Sequence, residues 1–277
     1  MSILEVLFGA IVGLSLGLTG GGGSIFAVPL LVYGIGLGPK LAVPVSLAAV
    51  GATALVGFLQ RLHAKEVEVT TGLVFAVAGL LGTPIGKAIG DRLPDRVLMV
   101  LFACLMAYIA RRMWLKSQEE ATAAASAFLR RAETAPTTPL GCSRDAGGHI
   151  NLTTRCGMVL VSLGFGVGIL SGVFGVGGGF VIVPALVLFT NMRIHQAVST
   201  SLMVISIISA GGVLTFVSGG RDVSFSIVAM FVIGGILGMQ LGTWFARMLP
   251  GKQLQRFFAG AIVFVAAFVL IKETLGF

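Results

Sequence analysis

The stretch Gly20-Gly21-Gly22-Gly23-Ser24-Ile25-Phe26-Ala27-Val28-Pro29 returns 155 positions later as Gly175-Val176-Gly177-Gly178-Gly179-Phe180-Val181-Ile182-Val183-Pro184. Each copy interrupts an otherwise apolar run with glycine and closes on proline. In a bilayer, broken backbone is tolerated only where it is buried in protein or lines a polar cavity. Two such interruptions at corresponding places in two halves of a chain point to a transporter's binding site.

Composition places the chain in a membrane. Of 277 residues only 11% are charged, and mean hydropathy is +1.01, whereas a soluble domain carries about 25% charge. The stretches 41–60, 69–86, 97–110, 158–192, 196–220 and 223–246 are long and almost free of charge. Runs of about 20 apolar residues read as spanning helices. A large soluble core would instead show polar faces at helical spacing, which these stretches lack. The formal charge of +8 would suit a nucleic-acid partner. Here the Lys and Arg flank apolar stretches, and no basic block is interleaved with aromatics, so the expected partner is the bilayer. The opening MSILEVLFG lacks a basic n-region, so a cleaved leader is not expected. Cys104, Cys142 and Cys156 have no metal-type spacing and read as inert thiols; no cofactor or metal is expected.

The duplication extends beyond the glycines. Gly13, Gly17, Ser46, Leu47 and Gly57 match Gly168, Gly172, Ser201, Leu202 and Gly212 at the same offset. One inserted residue shifts the register, after which Gly79, Gly82, Gly86 and Pro94 match Gly235, Gly238, Gly242 and Pro250. A single gap over about ninety positions is the mark of an internal repeat. The sequence predicts an all-α polytopic membrane protein of two inverted-topology repeats, each with five helical segments. These are 3–18, 25–37, 40–60, 69–90 and 95–114, then 157–173, 180–191, 195–217, 223–246 and 252–272. The first two of each repeat are short and flank the break. Residues 1–114 form the first repeat, 115–156 a cytoplasmic linker rich in Ala, Pro and Gly, and 157–277 the second repeat.

Inversion follows from basic-residue placement. If the two short segments make an in-and-out hairpin, 13 of the 19 Lys and Arg fall on one side and 6 on the other. If they make one broken span, the best division is 11 against 8. The larger bias selects the inverted arrangement, with the linker inside and both termini outside.

A helix restarting after a break exposes several N–H groups and a partial positive charge, so its N-terminus receives anions without a charged side chain. Gly21, Gly22, Gly23 and Ser24, with Gly177, Gly178 and Gly179, are therefore candidate substrate-binding residues. Ser46, Thr83, Thr200, Ser201 and Gln240 lie at nearby depths and add candidate hydrogen-bond donors. For the hydroxyls the alternative is back-bonding within the helix. Gln240 is included because an amide inside a bilayer needs a partner or a task. The scattered glycines Gly51 and Gly235 read as packing positions, and the face of Gly234, Gly235 and Gly238 suits either a homodimer or internal packing. No Gly-Lys-Ser/Thr ending supports a phosphate loop. No Asp or Glu falls mid-span, Glu5 being near the terminus, so no carboxylate relay is written. No catalytic constellation is visible, and an enzyme is not expected.

The paired elements GLTGGGGSIFAVP and GVFGVGGGFVIVP, the segments AVPVSL and AVSTSL, and GTPIGKAIGDRLP with GMQLGTWFARMLP resemble the TauE/SafE family of permeases. That resemblance covers both halves but not 115–156. It implies a bacterial inner-membrane carrier of sulfur-containing anions such as sulfite, sulfoacetate and other sulfonates. Proton-coupled uptake of another solute, and a membrane assembly factor without substrate, are the alternatives.

Overall fold

The computed structural model describes residues 2–63, 66–108, 111, 154–190, 192, 194–220, 224–248, 267 and 269. Nearly all of the tenth expected segment, 252–272, and of the linker lies outside the described residues. No strand occurs among those described. The elements are α1 (Ser2–Thr19), α2 (Ser24–Pro29), a π turn (Leu30–Gly34), α3 (Pro39–His63), α4 (Val69–Arg92), α5 (95–108), α6 (Thr154–Phe174), α7 (Gly179–Thr190), α8 (Ile194–Ser218) and α9 (Phe225–Met248). Among the described residues five helices are long and apolar enough to span a bilayer: α3, α4, α6, α8 and α9. The chain is an all-α polytopic membrane protein.

Glycine stripes set the packing. A methyl group on Gly9, Gly13 or Gly17 of α1 would overlap the Phe231, Gly235 or Met239 carbonyl of α9. In return, Gly234, Gly238 and Gly242 of α9 abut Val6, Ala10 and Leu14. The two backbones approach because neither helix carries side chains along the seam, the small-residue packing of membrane helices. α4 and α6 repeat the arrangement, with Gly164, Gly168 and Gly172 against Phe75, Gly79 and Thr83. Thus the first helix of each half packs on the fourth helix of the other. The face of Gly234, Gly235 and Gly238 is used inside the chain, against α1 and Thr53. Gly51 and Gly235 are packing positions, as their scatter suggested.

Contact order along each pair gives direction. α1 and α9 run in the same sense, as do α4 and α6. α3 and α8 run in opposite senses: Leu47 meets Gly212, Gly51 meets Ser209, and Gly57 meets Leu202.

Two features depart from expectation. The second short segment of the first half is six α-helical residues followed by the π turn, whereas α7 continues for twelve. Proline removes a helix hydrogen bond, but Pro184 stands at the place matching Pro29, so proline alone does not account for the difference. Cys104 is an exposed free thiol, while Cys156 is disulfide-bonded. The reading of all three cysteines as inert thiols fails at Cys156, because spacing in sequence carries no distance information.

Candidate functional site: two facing glycine breaks

Residues 20–24 and 175–179 are all buried, and in both the helix is broken for four residues and restarts at the fifth. Gly20 and Gly175 both take left-handed backbone, at φ 76° and 71°, where glycine alone is unstrained. Each amide still closes the preceding helix, Gly20 N–H onto Leu16 O at 2.7 Å and Gly175 N–H onto Ser171 O at 2.8 Å. The freed carbonyls are taken by the opposite half. Ser201 Oγ donates to Gly20 O and Ser46 Oγ to Gly175 O, each at 2.6 Å. Both serines are also 2.7–2.8 Å from the carbonyl three residues back, Val198 O and Val43 O. Neither the substrate role nor simple back-bonding, the two sequence readings, describes this exchange.

Depth follows from helix arithmetic. Ser46 and Ser201 are each the eighth residue of a 25-residue helix, about 10 Å from its start at 1.5 Å per residue. From there the breaks converge: a methyl group on Gly179 would lie 2.7 Å from Gly21 Cα. The two interruptions meet back to back inside the helix bundle.

Their chemistry differs. In the first break, Gly22 N–H donates to Thr19 Oγ1 at 3.0 Å, and Ser24 Oγ donates to Gly21 O at 2.8 Å. The amides of Ser24, Ile25 and Phe26 reach Gly21, Gly22 and Gly23 carbonyls at 3.1–3.4 Å. Most donors are therefore used internally. In the second break the amides of Gly177, Gly178 and Gly179 make no backbone hydrogen bond among the described residues, and those of Val181 and Ile182 bond to Gly178 O. Gly177 and Gly178 hold φ of 63° and 67°. Such amides at the head of the twelve-residue α7 are an anion receptor in form.

The remaining candidates scatter. Thr83 is buried on α4, where its hydroxyl bonds back to Leu80 O at 2.8 Å and its backbone packs on Gly172, one turn short of the second break. Thr200 Oγ1 accepts the Glu68 amide at 3.0 Å and so clasps the α3–α4 connection. Beside it, Ser199 Oγ stands 3.3 Å from Glu66 Oε2 and 3.5 Å from Arg61 Nη1. Gln240 is exposed, on the face of α9 that carries Leu237, Leu241 and Trp244. The structure thus brings together Gly21–Ser24, Ser46, Gly177–Gly179 and Ser201, but not Thr83, Thr200 or Gln240.

Three features carry more weight in the structure than their sequence positions gave them. Ser209 of α8 lies beside Gly177 and has no copy in the first half. Glu5, set aside as terminal, is buried at 6% exposure. At one end of the bundle a small open cavity, with room for about one water, is lined by Lys40, Lys87, Asp91, Val43, Gly172 and Phe216, among others. Lys87 Nζ is 3.1 Å from Asp91 Oδ2 and 5.6 Å from the Phe216 ring centre. The cavity stands over the second break, since Val43 and Gly172 flank Gly175 and Ser46.

Residues 5–269 match the family described as sulfite exporter TauE/SafE. The chain belongs to this family. A Xylella fastidiosa (strain Temecula1) protein named "Probable membrane transporter protein" is 33% identical over 273 residues, covering 97% of this chain and 94% of its own. The "Probable membrane transporter protein YunE" of Bacillus subtilis is 27% identical over 259 residues, 91% of each chain. The "Probable membrane transporter protein MamO" of Magnetospirillum gryphiswaldense is 29% identical over 289 residues, 96% of this chain and 45% of that one. No solved structure matches. With its spanning helices, this TauE/SafE protein is a multi-pass membrane transporter and not an enzyme, which also sets aside the assembly-factor alternative.

Proposed function

We propose that this transporter exports a small sulfur-containing anion, sulfite, sulfoacetate or a related sulfonate, held at mid-depth by backbone amides of its interrupted helices. One observation carries the reading: bare amides at a buried break, at the head of α7, between helices that span the bilayer. A negative interior supplies the force, since one charge crossing 100 mV is worth about 2.3 kcal/mol. No coupling ion is then needed.

Two repeats of inverted topology, 1–114 and 157–277, joined by 115–156, give this site its geometry. The opposed senses of α3 and α8 support that relation, because matched helices related by an axis in the membrane plane must run oppositely. The bias of basic residues puts both termini on the periplasmic side and the linker in the cytoplasm. The disulfide at Cys156 pulls the other way, since such bonds persist in oxidising compartments. Protease cleavage of the linker in sealed inside-out vesicles decides between them: cutting supports the charge-based orientation.

The central test is flux in liposomes. Sulfite or sulfoacetate efflux should reverse with the imposed potential and ignore a pH gradient. The second reading, proton-coupled uptake, is favoured by one observation, the buried Glu5. If it holds, Glu5→Gln abolishes pH-driven flux. If the export reading holds, Glu5→Gln leaves potential-driven flux intact.

A further inference from the structure

We propose that Ser209 is a ligand-binding hydroxyl that makes the second glycine break, and not the first, the seat of a small oxoanion. This rests on the carrier function above and assigns its site to one half.

Serines and threonines inside helices normally bond back to a carbonyl three or four residues earlier. Ser46, Thr53, Ser201 and Ser206 all do so here, at 2.7–2.8 Å. Ser209 does not: its Oγ is fully buried, the residue being 1% exposed, and has no protein partner among the described residues. Leaving such a donor unmet is costly, and natural exceptions call for an explanation. Its neighbours supply one. A methyl group on Gly177 would lie 3.1 Å from Ser209 Oγ, so the hydroxyl lies beside Gly177, the first of the three residues whose amides are bare. On its other side Gly51 leaves room for Ser209, a methyl there falling 2.6 Å from Ser209 Cβ. A second buried hydroxyl without a protein partner, Ser171, belongs to α6 one turn before Gly175.

The repeat sharpens the assignment. The place matching Ser209 holds Ala54, and that matching Gly179 holds Ser24, whose hydroxyl bonds Gly21 O within its own break. The first half therefore uses its hydroxyl on itself, while the second presents one beside unused amides. Val50 and Ile205 close in at 3.7 and 3.2 Å from the same Gly177 position, and apolar walls strengthen hydrogen bonds to charge. O–H and N–H donors side by side in a buried break suit a compact oxoanion, sulfite or the sulfonate end of sulfoacetate.

The test compares purified full-length wild type, Ser209→Ala and Ser206→Ala, by calorimetric titration with sulfite and sulfoacetate and by thermal unfolding. Without ligand, Ser209→Ala should unfold at a higher temperature than wild type, because the unmet buried donor is gone. Its affinity should fall about tenfold or more, the usual weight of a hydrogen bond to a charged group, and ligand should no longer raise its unfolding temperature. Ser206→Ala should bind as wild type does. If Ser209→Ala binds both anions undiminished, or if Ser206→Ala is weakened equally, the assignment to Ser209 is overturned while the carrier function stands. If wild type binds neither anion, both fall together.

Discussion

The first break and the second have the same length, the same left-handed entry glycine and the same reciprocal serine clamp, yet opposite economies of hydrogen bonding. Residues 20–24 are closed on themselves through Thr19 and Ser24. Residues 175–179 leave three consecutive amides without backbone acceptors and face Ser209. The first break thus spends its donors on itself, and the second is the one proposed above to hold the anion. In this reading duplication supplied two matching scaffolds, and a few side chains, Ser24 against Gly179 and Ala54 against Ser209, divided the labour.

The largest effect should come from attacking what the two breaks share. Gly175→Ala forces a left-handed alanine, at about 1–2 kcal/mol, and drives its methyl group to 2.7 Å from Val43 Cα and 2.8 Å from Ser46 Oγ. Neither neighbour yields cheaply, so a total loss above about 3 kcal/mol is expected, seen as failure to recover folded protein. Gly20→Ala has the same strain, but the three atoms its methyl group would press hardest, at 2.5–2.8 Å, all belong to the Val198 side chain, and it should be milder. Gly36→Ala, at φ 83° in open space, isolates the strain alone. A Gly175→Ala protein as stable as Gly36→Ala would mean that the second break yields more readily than its packing implies.

Next come the clamps. Ser46→Ala and Ser201→Ala should each cost about 1–3 kcal/mol by leaving a buried carbonyl unmet, and the two losses should be similar because the geometries are. Thermal unfolding of the pair measures this. Equal losses confirm that the clamp belongs to the scaffold. A fall in anion affinity for Ser46→Ala alone would show that the clamp on the second break also shapes the seat.

The legibility of the sequence divides in the same way. The spans and breaks could be read because apolar length and glycine clusters are properties of the chain itself. Ser46 and Ser201 could be found as a matched pair, but not their acceptors, which the opposite half provides. Ser209 does not stand out from the other span hydroxyls in sequence, because a search guided by duplication finds what is copied, and its counterpart is Ala54. Glu5 was discounted by its position in sequence, although α1 starts at Ser2 and buries it one turn later. Gln240 shows a signal that was present and unused. It stands two residues, or about 200° of helical rotation, from Gly238, whose stripe faces α1. Depth placed it with Gly238; direction put it on the opposite face.

That gives the smallest expected effect and the cleanest control. Gln240→Leu replaces an exposed amide among Leu237, Leu241 and Trp244, where lipid would favour the apolar side chain. Stability should be unchanged or slightly raised, within about 0.5 kcal/mol as for most exposed substitutions, and anion flux should match wild type. Gln240 and Ser209 are both polar residues on spanning helices of the same half, so their contrast separates polarity from placement. Loss of flux in Gln240→Leu with a preserved fold would return the outer face of α9 to the transport path. The division of labour between the breaks would then describe only part of the route.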